Sequence, residues 1–105
     1  MEILFDKEYL RELYEDGKST DKKYRFQPDI IKRYQARIRT LQRLEKVEDL
    51  FTINSLCYEK LRGDKLGLES IRVNDKYRIE FETCKEFSKT VATICNIIEL
   101  SNHYK

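Results

Sequence analysis

The chain has 105 residues, 38% charged and 40% hydrophobic, with a formal net charge of +2. This length argues for one domain, and burial of roughly 60–70% of the unfolded surface gives it one real core, which excludes a disordered chain. No run approaches the roughly 18 apolar residues of a membrane span, and the opening MEILFDKEYL lacks the basic and long apolar regions of a signal peptide, so a cytoplasmic protein without a membrane partner is expected.

Ile3, Leu4 and Phe5 form a short apolar start that suits a strand. Asp6 is placed to cap a helix running to about Asp16, with Leu10, Leu13 and Tyr14 at i, i+3 and i+4 and Gly17 as its stop. Residues 18–27 are polar and read as a loop. Pro28 fits the first turn of a second helix, ending near Lys46, whose stripe is Ile31, Tyr34, Ile38 and Leu41, widened by Ile30 and Leu44. Arg33, Arg37, Arg39 and Arg43 lie largely off that stripe. Charge is unevenly spread: residues 1–17 carry net −4, residues 18–46 net +7 and residues 47–105 net −1. Such a basic block is either a solvated helix face or a surface for a polyanion or an acidic partner.

Val47 to Ile53 is a connector with room for a helical turn. Cys57 to Leu61 is a short strand candidate, and Arg62-Gly63-Asp64-Lys65 has the composition of a turn. Leu68–Val73 and Tyr77–Thr83 read as strands around Asn74-Asp75-Lys76. Lys85–Lys89 is a polar connection, and Val91–Leu100, rich in β-branched residues, is the candidate central strand. Helices first and strands after predict an α+β fold, one domain over residues 1–105, in which an N-terminal helical hairpin packs on an antiparallel β-sheet.

The hairpin register carries chemical information. Ile71 and Val73 should share the core face with Tyr77, Ile79 and Phe81, and opposed residues of an antiparallel pair share a face. A two-residue loop would set Ile71 against Arg78. A three-residue loop, Asn74 to Lys76, instead opposes Val73 with Tyr77, Ile71 with Ile79 and, on the other face, Arg72 with Arg78. Directly opposed cations repel. A bound phosphate would offset this, as would Glu80, which opposes Ser70 next along that exposed face.

Cys57, Cys84 and Cys95 are an odd set without CxxC spacing, in a chain with a single histidine, so zinc patterns are absent and reduced, mostly buried thiols are expected. There is no phosphate loop, GxGxxG, HExxH or GxSxG. His103, near the end in Ser101-Asn102-His103-Tyr104-Lys105, is the side chain whose unperturbed pKa lies nearest neutrality.

The turn Leu61-Arg62-Gly63-Asp64, the run Leu68-Glu69-Ser70-Ile71-Arg72-Val73 and the continuation Asn74-Asp75-Lys76-Tyr77-Arg78-Ile79-Glu80-Phe81 together resemble the HigB branch of the RelE/ParE toxin superfamily. That branch shows a leucine–basic–glycine–acidic turn, a serine–hydrophobic–arginine–valine strand, then an aromatic residue followed by arginine. The resemblance implies a RelE-like fold and a type II toxin: a ribosome-dependent mRNA endonuclease needing no metal or other cofactor. Its partners would be mRNA, the ribosome and a cognate HigA-like, DNA-binding antitoxin.

By that resemblance Arg72 and Arg78 stabilise charge on the reacting phosphate, and Lys60, Arg62, Lys65 and Lys76 are candidate RNA contacts. The acid and base positions depart from the family. Glu59 stands where the family often has histidine, and Asn102-His103-Tyr104 replaces aspartate–tyrosine–histidine. Glu59 is then the candidate base and His103 or Tyr104 the candidate acid; alternatively, charge and positioning by the ribosome carry most of the catalysis. These departures also leave open a second function, a non-enzymatic ParE-like toxin that binds and inhibits DNA gyrase.

Overall fold

The computed structural model describes residues 1–87 and 90–102. In it the chain opens with β1 (Glu2–Phe5), then α1 (Glu8–Glu15) and α2 (Pro28–Arg43). Four further strands follow: β2 (Glu59–Lys60), β3 (Glu69–Arg72), β4 (Arg78–Lys85) and β5 (Ala92–Ser101). They form one sheet in the order β1-β5-β4-β3-β2.

Local chemistry sets the helices. Pro28 takes the first position of α2, where its missing N–H leaves no bond unmade. Gly17, at φ +74°, follows α1 in the left-handed conformation that glycine adopts without steric cost. Two side chains of α2 then fasten the hairpin. The Tyr34 hydroxyl donates to the Leu10 carbonyl at 2.7 Å, and Gln35 Nε2 donates to the carbonyls of Leu13 and Tyr14 at the end of α1.

The core lies between this hairpin and one face of the sheet. Leu10 and Leu13 from α1, with Ile30, Tyr34, Ile38 and Leu41 from α2, meet Ile71, Val73, Ile79, Phe81 and Ile97. Each fully buried aliphatic side chain adds roughly 1.5–3 kcal/mol through area removed from water. The α2 stripe is rotated slightly from expectation, because Ile30 is buried and Ile31 only partly so.

The three-residue hairpin loop is present. Val73 N–H donates to Tyr77 O at 2.9 Å, and the register pairs Ile71 with Ile79, Arg72 with Arg78 and Ser70 with Glu80.

Several expectations are corrected. The sheet is mixed, because β1 runs parallel to β5, pairing Ile3 with Cys95. Asp6 does not cap α1: its N–H extends that ladder to Ile97 O at 2.9 Å, so the helix starts later, after Lys7. The strand expected at 57–61 shrinks to two residues, since Cys57 turns the chain at φ +47°. β5 is interior, but β4 holds the middle of the sheet. Of the expected connection, Lys85 belongs to β4, while Ser88 and Lys89 lie outside the described residues. Cys95 alone among the thiols is buried, and burial pushes its pKa up; Cys57 and Cys84 are exposed. No helix among the described residues is long and apolar enough to cross a membrane.

Candidate functional site: a paired-arginine face

Alternation along β3 and β4 sends Ser70, Arg72, Arg78 and Glu80 to the face opposite the helices. Arg78 is not the open side chain that the pattern suggested. Its side chain is 11% exposed, with Nε 2.9 Å from Ser70 Oγ and Nη2 donating to the Cys57 carbonyl. The left-handed backbone at Cys57, costly for a residue with a Cβ, ends a 3-10 turn (Asn54–Leu56) whose exit supplies that carbonyl.

Glu59 lies opposite Ser70 across β2 and β3, with its carboxylate 3.9 Å from Arg78 Nε. Arg72 is more open and pairs with Asp75 in the hairpin loop. These two carboxylates offset the repulsion between the opposed arginines, one on each guanidinium. Glu80 is engaged differently: it is 2% exposed and accepts from Lys65 Nζ at 2.6 Å. The Lys65 ammonium, expected at RNA, thus ties the turn Gly63–Lys65 to the floor of the face.

Two clefts flank this face. One, of about 680 Å3, is lined by Glu59, Lys60, Leu61, Arg62 and Leu66 and so gathers two of the expected RNA contacts beside the candidate base. The other, of about 510 Å3, lies between the start of α2 and the hairpin loop, where Arg33, Arg72 and Lys76 face Asp29 and Asp75.

The sequence placed Arg37 only among the basic residues off the α2 stripe, with no part in the site. Its Nε donates to the Arg72 carbonyl at 2.9 Å, and burial, followed by the neighbouring charges of Arg33 and Arg72, lowers its pKa. The one signal was the spacing of Arg33 and Arg37, four residues apart within the basic block.

His103 and Tyr104 lie outside the described residues. The strand that leads to them ends with Ser101 in register with Arg78. Among the described residues no group of three or more His, Cys, Asp or Glu side chains is placed to hold a metal ion.

A helical hairpin on one face of a five-stranded sheet is the architecture of the RelE-like toxins. The chain belongs to the HigB-like toxin family, RelE-like toxins of type II toxin–antitoxin systems, whose family model matches residues 3–96. Solved structures agree on the fold. A YoeB/ParE toxin from Agrobacterium tumefaciens is 17% identical with a TM-score of 0.61, covering 99% of this chain and 100% of its own. A YoeB–YefM complex from Staphylococcus aureus is 16% identical with a TM-score of 0.58, covering 99% of this chain and 98% of its own. Among curated proteins none matches the sequence significantly.

Proposed function

We propose that the chain is a ribosome-dependent mRNA endonuclease that works without a metal, acts in the cytoplasm and is silenced there by an antitoxin. The observation that carries this reading is the juxtaposition of Arg72, Arg78 and Glu59 on one sheet face. In the reaction a base takes the proton of the RNA 2′-hydroxyl, whose oxygen attacks the adjacent phosphorus. The bond to the 5′-oxygen breaks, an acid protonates that oxygen, and a 2′,3′-cyclic phosphate remains.

Arg78 is held by Ser70 and the Cys57 carbonyl, so its charge is already oriented when negative charge builds on the phosphate. Arg72, more open, meets a second phosphate oxygen. Glu59 serves as the base, and His103 or Tyr104 as the acid, with Tyr104 otherwise stacking on a nucleobase. Lys60, Arg62 and Lys76 contact the flanking backbone from the two clefts.

The antitoxin is a HigA-like, DNA-binding protein from an adjacent gene. Family membership supports a cognate antitoxin, and the Staphylococcus aureus neighbour was itself solved as a YoeB–YefM complex.

The test is to map transcript ends by sequencing soon after induced expression, with and without translation. New internal ends that require translation are expected. Growth arrest without new ends, accompanied by gyrase inhibition, would instead establish the ParE-like activity.

A further inference from the structure

A groove of about 590 Å3 opens on the face of the sheet opposite Arg78, between a 3-10 segment (Val47–Thr52) and the far ends of β3 and β4. Its rim is apolar and open: Phe51 is 53% exposed and Leu66 80%. Large exposed apolar side chains placed together on a highly charged surface mark an interaction site more often than solitary ones do.

The floor of the groove is acidic. Glu69, 8% exposed, accepts from the Tyr58 hydroxyl and from Thr83 Oγ1 at 2.8 Å. Both donors are neutral, and among the described residues no cation pairs with this carboxylate. Glu80, the other buried carboxylate of β3 and β4, has Lys65. A buried carboxylate held by neutral donors alone retains strong attraction for a cation. The Tyr58 phenol is pushed up by burial first, then by its bond to Glu69 and the charges of Glu69 and Glu48. Lys60, directly opposite Glu69 in the β2–β3 register, lines the groove as well, but its ammonium forms no ion pair with that carboxylate. The Tyr58 ring lies 5.0 Å from that of Phe51 and 6.4 Å from that of Phe81, making an aromatic wall beside the carboxylate.

We propose that this groove docks an arginine side chain, flanked by apolar residues, of a polypeptide partner. A guanidinium is planar and weakly hydrated, stacks on aromatic faces and reaches a carboxylate through a fork of donors. The apolar flanks cover Phe51 and Leu66. The Glu69 floor itself repels a phosphate, in contrast to the arginine face. The groove adjoins the cleft beside Glu59 along Lys60, Leu61 and Leu66, but its Glu69 floor lies on the face of the sheet opposite Arg78, so the proposal stands whether or not the chain cleaves RNA.

The test is a nuclear magnetic resonance titration of the isotope-labelled full chain. The probe is a short peptide with one arginine between leucines, compared with peptides carrying citrulline or glutamate instead. Saturable shifts at Phe51, Tyr58, Leu66 and Glu69 are expected, with citrulline at least about tenfold weaker, as loss of one charge-assisted bond implies. Glu69→Gln removes the charge, keeps one carbonyl acceptor for one of the two hydroxyls and leaves the other hydroxyl to rotate and accept from the amide N–H. It should abolish the preference for arginine over citrulline. Phe51→Ala, at an exposed position, should weaken arginine binding several-fold in a folded chain. Equal binding of arginine and citrulline, shifts confined to the Arg78 face, no binding of any peptide, or occlusion of the groove by self-association would each overturn the proposal.

Discussion

The carboxylate of Glu59 and the guanidinium of Arg78 meet 3.9 Å apart although their strands are not neighbours. Strand β3 lies between them, and Ser70 is the pivot: it faces Glu59 on one side and Glu80 on the other, and its hydroxyl holds Arg78 Nε at 2.9 Å. A candidate base and a candidate phosphate clamp therefore share one small, supported constellation. In the proposed reaction a phosphate arriving at Arg78 would compete with Glu59 for the same guanidinium and release the carboxylate to take a proton.

Replacing Arg78 with Ala should slow mRNA cleavage by about 10²–10³-fold, the cost of losing one preorganised charge donor. Because the side chain is mostly buried and bonds Ser70 and the Cys57 carbonyl, stability should also fall by about 1–3 kcal/mol. Single-turnover cleavage on programmed ribosomes and urea unfolding measure the two effects separately. A folded variant that cleaves at the normal rate would remove Arg78 from the mechanism.

Truncation should begin after Ser101, which is buried in register with Arg78. Deleting residues 102–105 is expected to leave the fold and ribosome binding intact while slowing cleavage at least about 10²-fold, the usual contribution of a general acid or base. Cleavage at the full rate would leave the chemistry to Glu59 and the arginines.

Lys65→Met should destabilise the chain by about 1–3 kcal/mol, because it takes the ammonium from a carboxylate buried at 2% exposure. Adding Glu80→Gln should recover part of that loss by removing the buried charge. Urea denaturation of the single and double variants gives both values; equal stabilities would show that the pair is energetically silent.

Arg33 opens onto the cleft beside Arg72. If RNA lies there, Arg33→Ser should lower the slope of log affinity against log salt by about 0.7, the share of one single-strand phosphate contact. Filter binding across a salt series reads this directly. An unchanged slope would assign that part of the basic block to solvation or to a protein partner.

Burial pushes the Tyr9 phenol up to about 12, although the Leu100 amide that donates to its oxygen pulls the other way. Burial also raises Tyr34 and Tyr58. A phenol whose folded pKa exceeds its unfolded value near 10 contributes stability that is complete below about pH 10. For Tyr9 that contribution is lost as pH rises through about 12. The ultraviolet titration of the native chain should show these three of its seven tyrosines still protonated past pH 10. Tyr9→Phe should remove one late-ionising group.

The sequence by itself determined what repeats at short range. A period of two along β3 and β4, with the three residues Asn74 to Lys76 between them, sets the parity that opposes Arg72 with Arg78, and no distant contact is needed to decide it. The spacing of Leu10 and Leu13, and of Tyr34, Ile38 and Leu41, likewise marks the buried helix faces. Tertiary structure decided whatever depends on where separate segments land. Local alternation puts Arg78 on a face but cannot say that the turn ending at Cys57 brings its carbonyl to that guanidinium, so the bond emerges only in three dimensions. Lys65 and Glu80 are fifteen residues apart and meet because a turn folds back over the sheet. β1 runs parallel to β5 because chain ends more than eighty residues apart become neighbours. Glu69 reads as one more surface carboxylate until the register places it beneath Tyr58 and Thr83. Each of these contacts joins groups distant in sequence, and no period of two or 3.6 residues encodes that distance.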